Sequence, residues 1–210
     1  MIRHRLAELL GGWRGAAETA LPTVAFVLAW VLTENVRTTV LASLVAVLVL
    51  VVVRLVQQQT ARFALSSVAP TAVAAVFALR TGQAEDAFLP GILWNAAMGL
   101  VALGSVLARW PLVGFAVAAA DPGAATDPGV FTRWRAHSGI VVVCQRLTVV
   151  LVVLFAVRLA IMVPLYLSAE VAWLGVAKIV LSWPAYLVAV LVMAAMLVRG
   201  HTPLDHSEEV

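Results

Sequence analysis

Chemistry is most readily assigned in this chain to four carboxyl groups that lie beside long apolar segments. They belong to Glu34, Glu85, Asp86 and Glu170. An acid kept protonated by desolvation can protonate an alkene or an epoxide, and a second carboxylate or water can end the reaction. We predict that Asp86 or Glu34 is the acid. The second carboxylate is then Glu85 or Glu170.

Further candidate site residues lie within the apolar segments themselves. Arg158 and Asn95 are predicted to hold the acid in place, because polar groups at membrane depth are costly and usually functional. Aromatic faces would shield a carbocation formed on protonation. The aromatic residues predicted to line the pocket are Trp30, Trp94, Trp183, Tyr186 and Phe88.

A structural interpretation of the same residues stays open. In it, Arg158 pairs with Glu34 or Asp86 and so joins two helices. Lys178 extends outward to the membrane surface, which its long flexible side chain allows. The aromatic side chains then only pack against their neighbours, with a partner for each buried N–H or O–H group.

Motifs for metal, nucleotide or acyl-enzyme chemistry are absent from the sequence. The histidines lack metal-ligand spacing, and there is no GxSxG, no P-loop and no GxGxxG motif. The single cysteine, Cys144, cannot form an internal disulfide, and it is expected to pack within a helix. We therefore predict neither a cofactor nor a bound metal.

The composition indicates which elements position these residues. Hydrophobic residues make up 63% of the 210 residues and charged residues 12%, and the mean hydropathy is +1.01. A soluble domain is nearer half apolar and a quarter charged, and a chain of this length cannot bury so much apolar surface in its own core. Composition therefore excludes a soluble enzyme, a disordered regulator and a nucleic-acid-binding protein, and indicates a lipid bilayer as the solvent.

The lengths of the apolar segments predict an all-α, polytopic bundle of about six transmembrane helices. The predicted spans are residues 20–33, 38–56, 63–79, 88–107, a stretch within 140–167, and 171–198. A shorter apolar piece at 112–120 is predicted to be re-entrant or interfacial. Residues 1–19 are predicted to be an amphipathic lead on the membrane surface. The membrane domain then covers 20–199, with a loop at 121–138, and the tail 200–210 is polar and mobile.

The distribution of positive charge predicts the orientation and the location. Six spans put both termini on one side together with most arginines, and only Arg37 and Arg80 fall in the opposite loops. The positive-inside rule then makes both termini cytoplasmic, in a multi-pass protein of the bacterial cytoplasmic (inner) membrane. The expected partners are the lipid bilayer and a lipophilic small molecule, without nucleic acid, and the sequence is compatible with a homo-oligomer.

Several segments resemble a known family. They are GGWRG at 11–15, VVVRLV at 51–56, ALRTGQAEDAFLPGILWNAA at 78–97, RWPLVG at 109–114, VRLAIMVPLYL at 157–167 and LGVAKIVLSWP at 174–184. Through them the chain resembles an actinobacterial family of six-span integral membrane proteins with a domain of unknown function. The order of spans is also distantly similar to the intracellular septation protein A family. The first resemblance carries no known active site that could be transferred to this chain. It implies aromatic residues at 140–148, where this chain has IVVVCQRLT.

Three functions follow as hypotheses. The first is a small membrane enzyme that acts on a lipophilic substrate, most concretely a terpene cyclase that closes the rings of an isoprenoid or meroterpenoid after protonation. The second is a non-enzymatic scaffold of the envelope or the division machinery, which the septation-like order of spans favours. A transporter or channel is less favoured, because no internal repeat is apparent. The polar cluster towards the outer half of the bundle favours the enzyme.

Overall fold

The computed structural model describes residues 12–56, 61–120, 129–133 and 138–199, and the regular secondary structure of these residues is helical throughout. The all-α prediction is therefore confirmed for this part of the chain. Residues 1–11 of the predicted lead, residues 121–128 and 134–137 of the predicted loop, and the predicted tail 200–210 lie outside the described residues.

The helices follow the apolar segments, since a backbone in hydrocarbon must satisfy its own hydrogen bonds. The first are α1 (Gly12–Thr33), α2 (Val36–Val56), α3 (Ala61–Thr81) and α4 (Leu89–Leu107), with a 3-10 turn at Glu85–Ala87 before α4. The later ones are α5 (Leu112–Ala119), α6 (Val130–Arg133), α7 (Ser138–Leu167), α8 (Val171–Val180) and α9 (Trp183–Arg199). The apolar piece predicted at 112–120 is thus the short helix α5.

Four apolar helical segments are long enough to cross a membrane. They are Val36–Val53, Leu89–Leu107, Gly139–Leu167 and Val171–Val198. The segments Ala20–Thr33 and Val68–Thr81, which belong to the first and third predicted spans, are apolar but shorter. Helix α1 begins before the first of these segments, at Gly12, and α3 begins before the second, at Ala61. Among the described residues, the helices are those of a membrane protein, with four segments of full spanning length where the sequence predicts six.

The last predicted span consists of two helices. Helix α8 ends at Val180 and α9 begins at Trp183, with a turn between them at Leu181 and Ser182. Pro184 is the second residue of α9, where its missing N–H interrupts no helical hydrogen bond. The break therefore falls where a proline is best tolerated, at the start of a helix.

Four helices of the described part of the chain are followed by a residue with a left-handed backbone. The φ angles are 46° at Glu34 after α1, 54° at Ala169 after α7, 75° at Gly82 after α3 and 55° at Arg109 after α4. The Glu34 N–H donates to the Trp30 carbonyl at 2.8 Å, and the Glu170 N–H donates to the Leu165 carbonyl at 3.1 Å. These bonds satisfy carbonyls at the helix ends. The unusual φ of Glu34 is therefore accounted for by helix termination.

Two compact units divide the chain, and unit 1 comprises Met1–Leu93 and Ala160–Trp183. Within it α1 packs against α2 and α8, and α3 packs against α2 and the 3-10 turn. Its buried side chains include Phe26, Val40, Ala78 and Leu174. Helices α1 and α8 approach so closely that a Cβ atom on Gly175 would collide with the Val27 side chain. Small residues at such contacts are typical of helices packed in membranes.

Unit 2 comprises Trp94–Leu159 and Pro184–Val210. In this unit, polar side chains of α7 satisfy the backbone where α4 ends and α5 begins. Gln145 Nε2 donates to the Val106 carbonyl at 3.3 Å, and the Val113 N–H donates to Thr148 Oγ1 at 3.3 Å. Helix ends leave such groups without a partner in their own helix. This role accounts for the polar residues of IVVVCQRLT, where the family resemblance implies aromatic ones.

Candidate functional site

A half-enclosed cavity of about 80 Å³ lies among the helices of unit 1, and we call it the unit 1 cavity. Its walls come from α1, α2, α3, α8 and the segment that leads into α4. Pro22 of α1 and Pro70 of α3 line it, and both lie inside helices. A proline carries no backbone N–H, so one hydrogen bond of the helix is missing at each of these two positions.

The side chains of the unit 1 cavity are of three kinds. Hydroxyl groups come from Thr23, Ser43 and Thr71, aromatic rings from Phe26 and Phe88, and a charge from Lys178. The Ser43 hydroxyl donates to the Val40 carbonyl at 2.8 Å. Thr23 is buried, with 8% of its surface exposed. The lining is therefore mixed, with polar groups set among apolar walls, as in sites that orient a small ligand.

Two phenylalanine rings and an ammonium group meet in this cavity. The Phe26 and Phe88 rings contact edge to face, with centroids 5.7 Å apart and an interplanar angle of 89°. The Lys178 Nζ atom lies 5.3 Å from the centroid of the Phe88 ring, a distance that allows a cation–π interaction. Phe88 is buried. The Lys178 ammonium thus lies by a buried ring on the cavity wall, although much of its side chain is exposed.

Asp86 is buried beside this cavity and hydrogen-bonds to a tyrosine. The Tyr166 hydroxyl of α7 donates to Asp86 Oδ1. Asp86 lies in the 3-10 turn, and the two residues that follow it, Ala87 and Phe88, line the unit 1 cavity. The hydrogen bond therefore fixes the segment that forms one cavity wall. Sequence reasoning missed Tyr166, and the signal that could have found it is the need of a tyrosine hydroxyl among apolar residues for a partner.

The other predicted carboxylates occupy different surroundings. Glu34 and Glu170 are exposed at the ends of helices, and Glu85 is half-buried in the 3-10 turn. None of these three lines the unit 1 cavity. Among the acids of the described residues, Asp86 is the buried one.

Unit 2 contains a polar cluster of its own around Arg158. The Arg158 Nη1 atom donates to Asn95 Oδ1 at 3.0 Å and to the Tyr186 hydroxyl at 3.1 Å. The guanidinium carbon lies 4.3 Å from the centroid of the Tyr186 ring. Arg158 is buried, and it lies about 13 Å along α7 from the end of that helix at Leu167. The sequence predicted these residues as site members, and the structure joins α4, α7 and α9 through them.

The predicted aromatic lining is distributed over both units. Phe88 lines the unit 1 cavity, whereas Trp30 and Trp183 are half-buried in unit 1 without lining it. In unit 2, Trp94 is 65% exposed, and Tyr186 contacts Arg158 as described above. Sequence reasoning missed Phe26, whose spacing along α1 is that of an ordinary packing residue.

The described residues contain no group of three or more His, Cys, Asp or Glu side chains that could hold a metal ion. Together, the apolar helices and the small polar cavity define an all-helical membrane protein. The chain belongs to the family described as protein of unknown function (DUF3159), whose model matches residues 10–204. The predicted membership of a family with a domain of unknown function is confirmed. Comparison with curated proteins and with solved structures gives no match.

Proposed function

We propose that the chain is a small integral membrane enzyme that acts on a lipophilic substrate, with one end of the substrate in the unit 1 cavity. The observation that carries this proposal is the position of a buried acid directly before the cavity wall. Asp86 precedes Ala87 and Phe88, which line the cavity. A carboxyl group removed from water and held by a hydroxyl is suited to proton transfer.

The specific reaction that we propose is the acid-initiated cyclisation of an isoprenoid or meroterpenoid. The Asp86 carboxylic acid would give its proton to an alkene carbon or an epoxide oxygen, and a carbon–carbon bond would close the ring. The resulting cation then loses one proton to a carboxylate or water. One proton is gained and one is lost, so the product is an isomer of the substrate. A cavity of about 80 Å³ accepts only one end of such a molecule, since sites for drug-sized ligands measure roughly 300–1,000 Å³. The rest of the substrate would lie against the apolar helices.

Deletion of the gene in its host, followed by analysis of the organic extract, tests this proposal. An acyclic lipophilic precursor should accumulate, and the wild-type gene should restore its product. Asp86→Asn keeps the contact to Tyr166 but removes the acid, so we expect at least about a 100-fold loss of product. Tyr166→Phe keeps the acid but removes its hydrogen bond, and it should cost roughly tenfold.

Exposed carboxylates provide the matched controls. Glu34→Gln and Glu170→Gln make the same chemical change at exposed side chains that do not adjoin a lining residue, and they should restore the product fully. An immunoblot of the membrane fraction measures the amount of each variant. Full restoration by Asp86→Asn at the wild-type protein level would refute the role of Asp86. An unchanged extract after deletion would refute the enzyme itself.

A scaffold of the envelope or the division machinery is the second candidate. The observation that favours it is that Asp86 and Arg158 both make hydrogen bonds that join helices, as purely structural groups would. This function predicts altered cell shape or envelope integrity after deletion, with an unchanged extract. It also predicts that Asp86→Asn restores normal cells.

A further inference from the structure

We propose that the unit 1 cavity binds the anionic end, a phosphate or carboxylate group, of a lipophilic molecule, with Lys178 as the opposite charge. This inference rests on the proposed function, because it names the chemical class of the substrate end that enters the cavity. The observation behind it is the charge of the residues that line the cavity. Lys178 is the charged residue there, and no acid is among the lining residues.

The position of Lys178 indicates that its charge needs a partner from outside the chain. It lies about 10 Å along α8 from the start of that helix at Val171, within an apolar segment. Among the described residues, none places a carboxylate within ion-pair distance of its ammonium group, and Asp86 is engaged by Tyr166. A cation in apolar surroundings is stabilised by an opposite charge. An anionic ligand supplies that charge, whereas a cationic ligand would be repelled.

Other lining groups suit the same ligand. The cation–π interaction between the Lys178 ammonium group and the Phe88 ring is weak in comparison with an ion pair between that ammonium group and an anion. The buried Thr23 hydroxyl can donate a hydrogen bond to a phosphate or carboxylate oxygen. The Ser43 hydroxyl of the lining already donates to the Val40 carbonyl. We therefore assign recognition of the anion to Lys178 and Thr23.

The size and surroundings of the cavity indicate that the anion carries a hydrocarbon tail. About 80 Å³ accommodates an end group and little more. Leu21, Val24 and Val73, which adjoin lining residues in the sequence of α1 and α3, are exposed. A tail that leaves the half-enclosed cavity can lie on these side chains and avoid water.

Thermal unfolding of the purified full chain in a neutral maltoside detergent tests this inference, with dodecyl phosphate as the probe. A ligand that binds the folded state raises Tm with its concentration. We expect dodecyl phosphate to raise Tm in the wild type and in Arg146→Met, which removes an exposed charge of α7. In Lys178→Met the apparent Kd should weaken at least about tenfold. Thr23→Val keeps the shape of the side chain but removes its hydroxyl, and it should weaken the apparent Kd roughly threefold. This variant tests the anion site independently if Lys178→Met does not fold.

Two further probes separate the sources of the anion. Inorganic phosphate has the head group without the tail, and dodecyltrimethylammonium has the tail with the opposite charge. Neither should raise Tm as dodecyl phosphate does. An equal rise in Tm with inorganic phosphate would overturn the claim that the ligand carries a hydrocarbon tail. Equal stabilisation by the ammonium detergent, or an unchanged Kd in Lys178→Met or Thr23→Val, would overturn the anion site.

The outcome can be separated from that of the proposed function. If dodecyl phosphate binds through Lys178 but deletion leaves the extract unchanged, the anion site stands and the enzyme does not. If Asp86→Asn abolishes a product while Lys178→Met binds dodecyl phosphate as the wild type does, the enzyme stands and its substrate end is not anionic.

Discussion

At the scale of single residues, the two tyrosines of the chain each provide a hydroxyl to an ionisable side chain among apolar helices. Tyr166 contacts Asp86 and Tyr186 contacts Arg158. A polar group removed from water is costly unless it is hydrogen-bonded. A phenol can donate to a carboxyl oxygen and accept from a guanidinium, so the same residue type serves both groups.

Removing the hydroxyl of Tyr186 should destabilise unit 2. Tyr186→Phe keeps the ring beside the guanidinium but removes the acceptor of one Arg158 hydrogen bond. We expect a loss of about 1–2 kcal/mol in the free energy of unfolding. Unfolding of the purified protein by sodium dodecyl sulfate in mixed micelles measures it.

An exposed aromatic residue of the same unit is the control. Trp94→Phe changes a side chain that is 65% exposed, and it should stay within about 0.5 kcal/mol of the wild type. Equal stability of Tyr186→Phe and Trp94→Phe would mean that the Arg158 cluster does not stabilise the fold.

At the scale of elements, helices α1 and α8 are held together by a contact that only a glycine permits. Gly175 faces Val27, and a Cβ atom would collide with one Val27 methyl group. The same two helices carry Thr23, Phe26 and Lys178 into the unit 1 cavity. The spacing of α1 and α8 therefore sets the width of the cavity.

Gly175→Ala should force these helices apart. We expect a loss of about 1–3 kcal/mol in the free energy of unfolding, because overpacking strains a close contact. Val27→Ala removes the colliding methyl group, so the double variant should recover more than half of that loss, a coupling that a double-mutant cycle measures.

Gly104→Ala in α4 is the matched control for that series. A Cβ atom at Gly104 meets nothing within 4 Å, so the change should raise stability by about 0.5–1 kcal/mol. A Gly175→Ala variant as stable as Gly104→Ala would show that α1 and α8 are free to adjust.

At the scale of the whole molecule, the number of spans decides which residues share a side of the membrane. Four helical segments are long enough to cross, and α1 and α3 contain the shorter apolar ones. We expect both to cross in partnership with α2, against which both pack, because neighbouring helices cover the polar groups at their ends. Six spans then follow, with both termini in the cytoplasm.

Labelling of single cysteines in intact bacteria tests this topology. In a Cys144→Ser background, Arg37→Cys places a thiol at an exposed position in the first turn of α2, and Gln83→Cys and Glu170→Cys place one at exposed positions between helices. A membrane-impermeant maleimide should label all three from outside. Ala108→Cys, exposed after α4, should react only after permeabilisation. An unlabelled Arg37→Cys beside a labelled Glu170→Cys would mean that α1 does not cross.

The sequence predicts the class of this fold because the length of each apolar run depends only on neighbouring residues in the chain. A long apolar run must form a helix in hydrocarbon whatever its neighbours do, so 88–107 and 140–167 match α4 and α7 to within two residues. The break in the last predicted span was missed, although Pro184 marks it. The predicted spans 20–33 and 63–79 lie within α1 and α3, whose apolar segments Ala20–Thr33 and Val68–Thr81 are shorter than a full span.

The sequence by itself determined that the chain is helical, apolar and poor in catalytic motifs, because composition and run length need no knowledge of contacts. Only the tertiary structure decided which polar residues meet. Asp86 and Tyr166 are 80 residues apart, and Asn95 and Arg158 are 63 apart. Sequence spacing does not state which faces of distant helices oppose each other. The unit 1 cavity, with Lys178 beside Phe88, exists only because close packing of α1 and α8 brings those faces together.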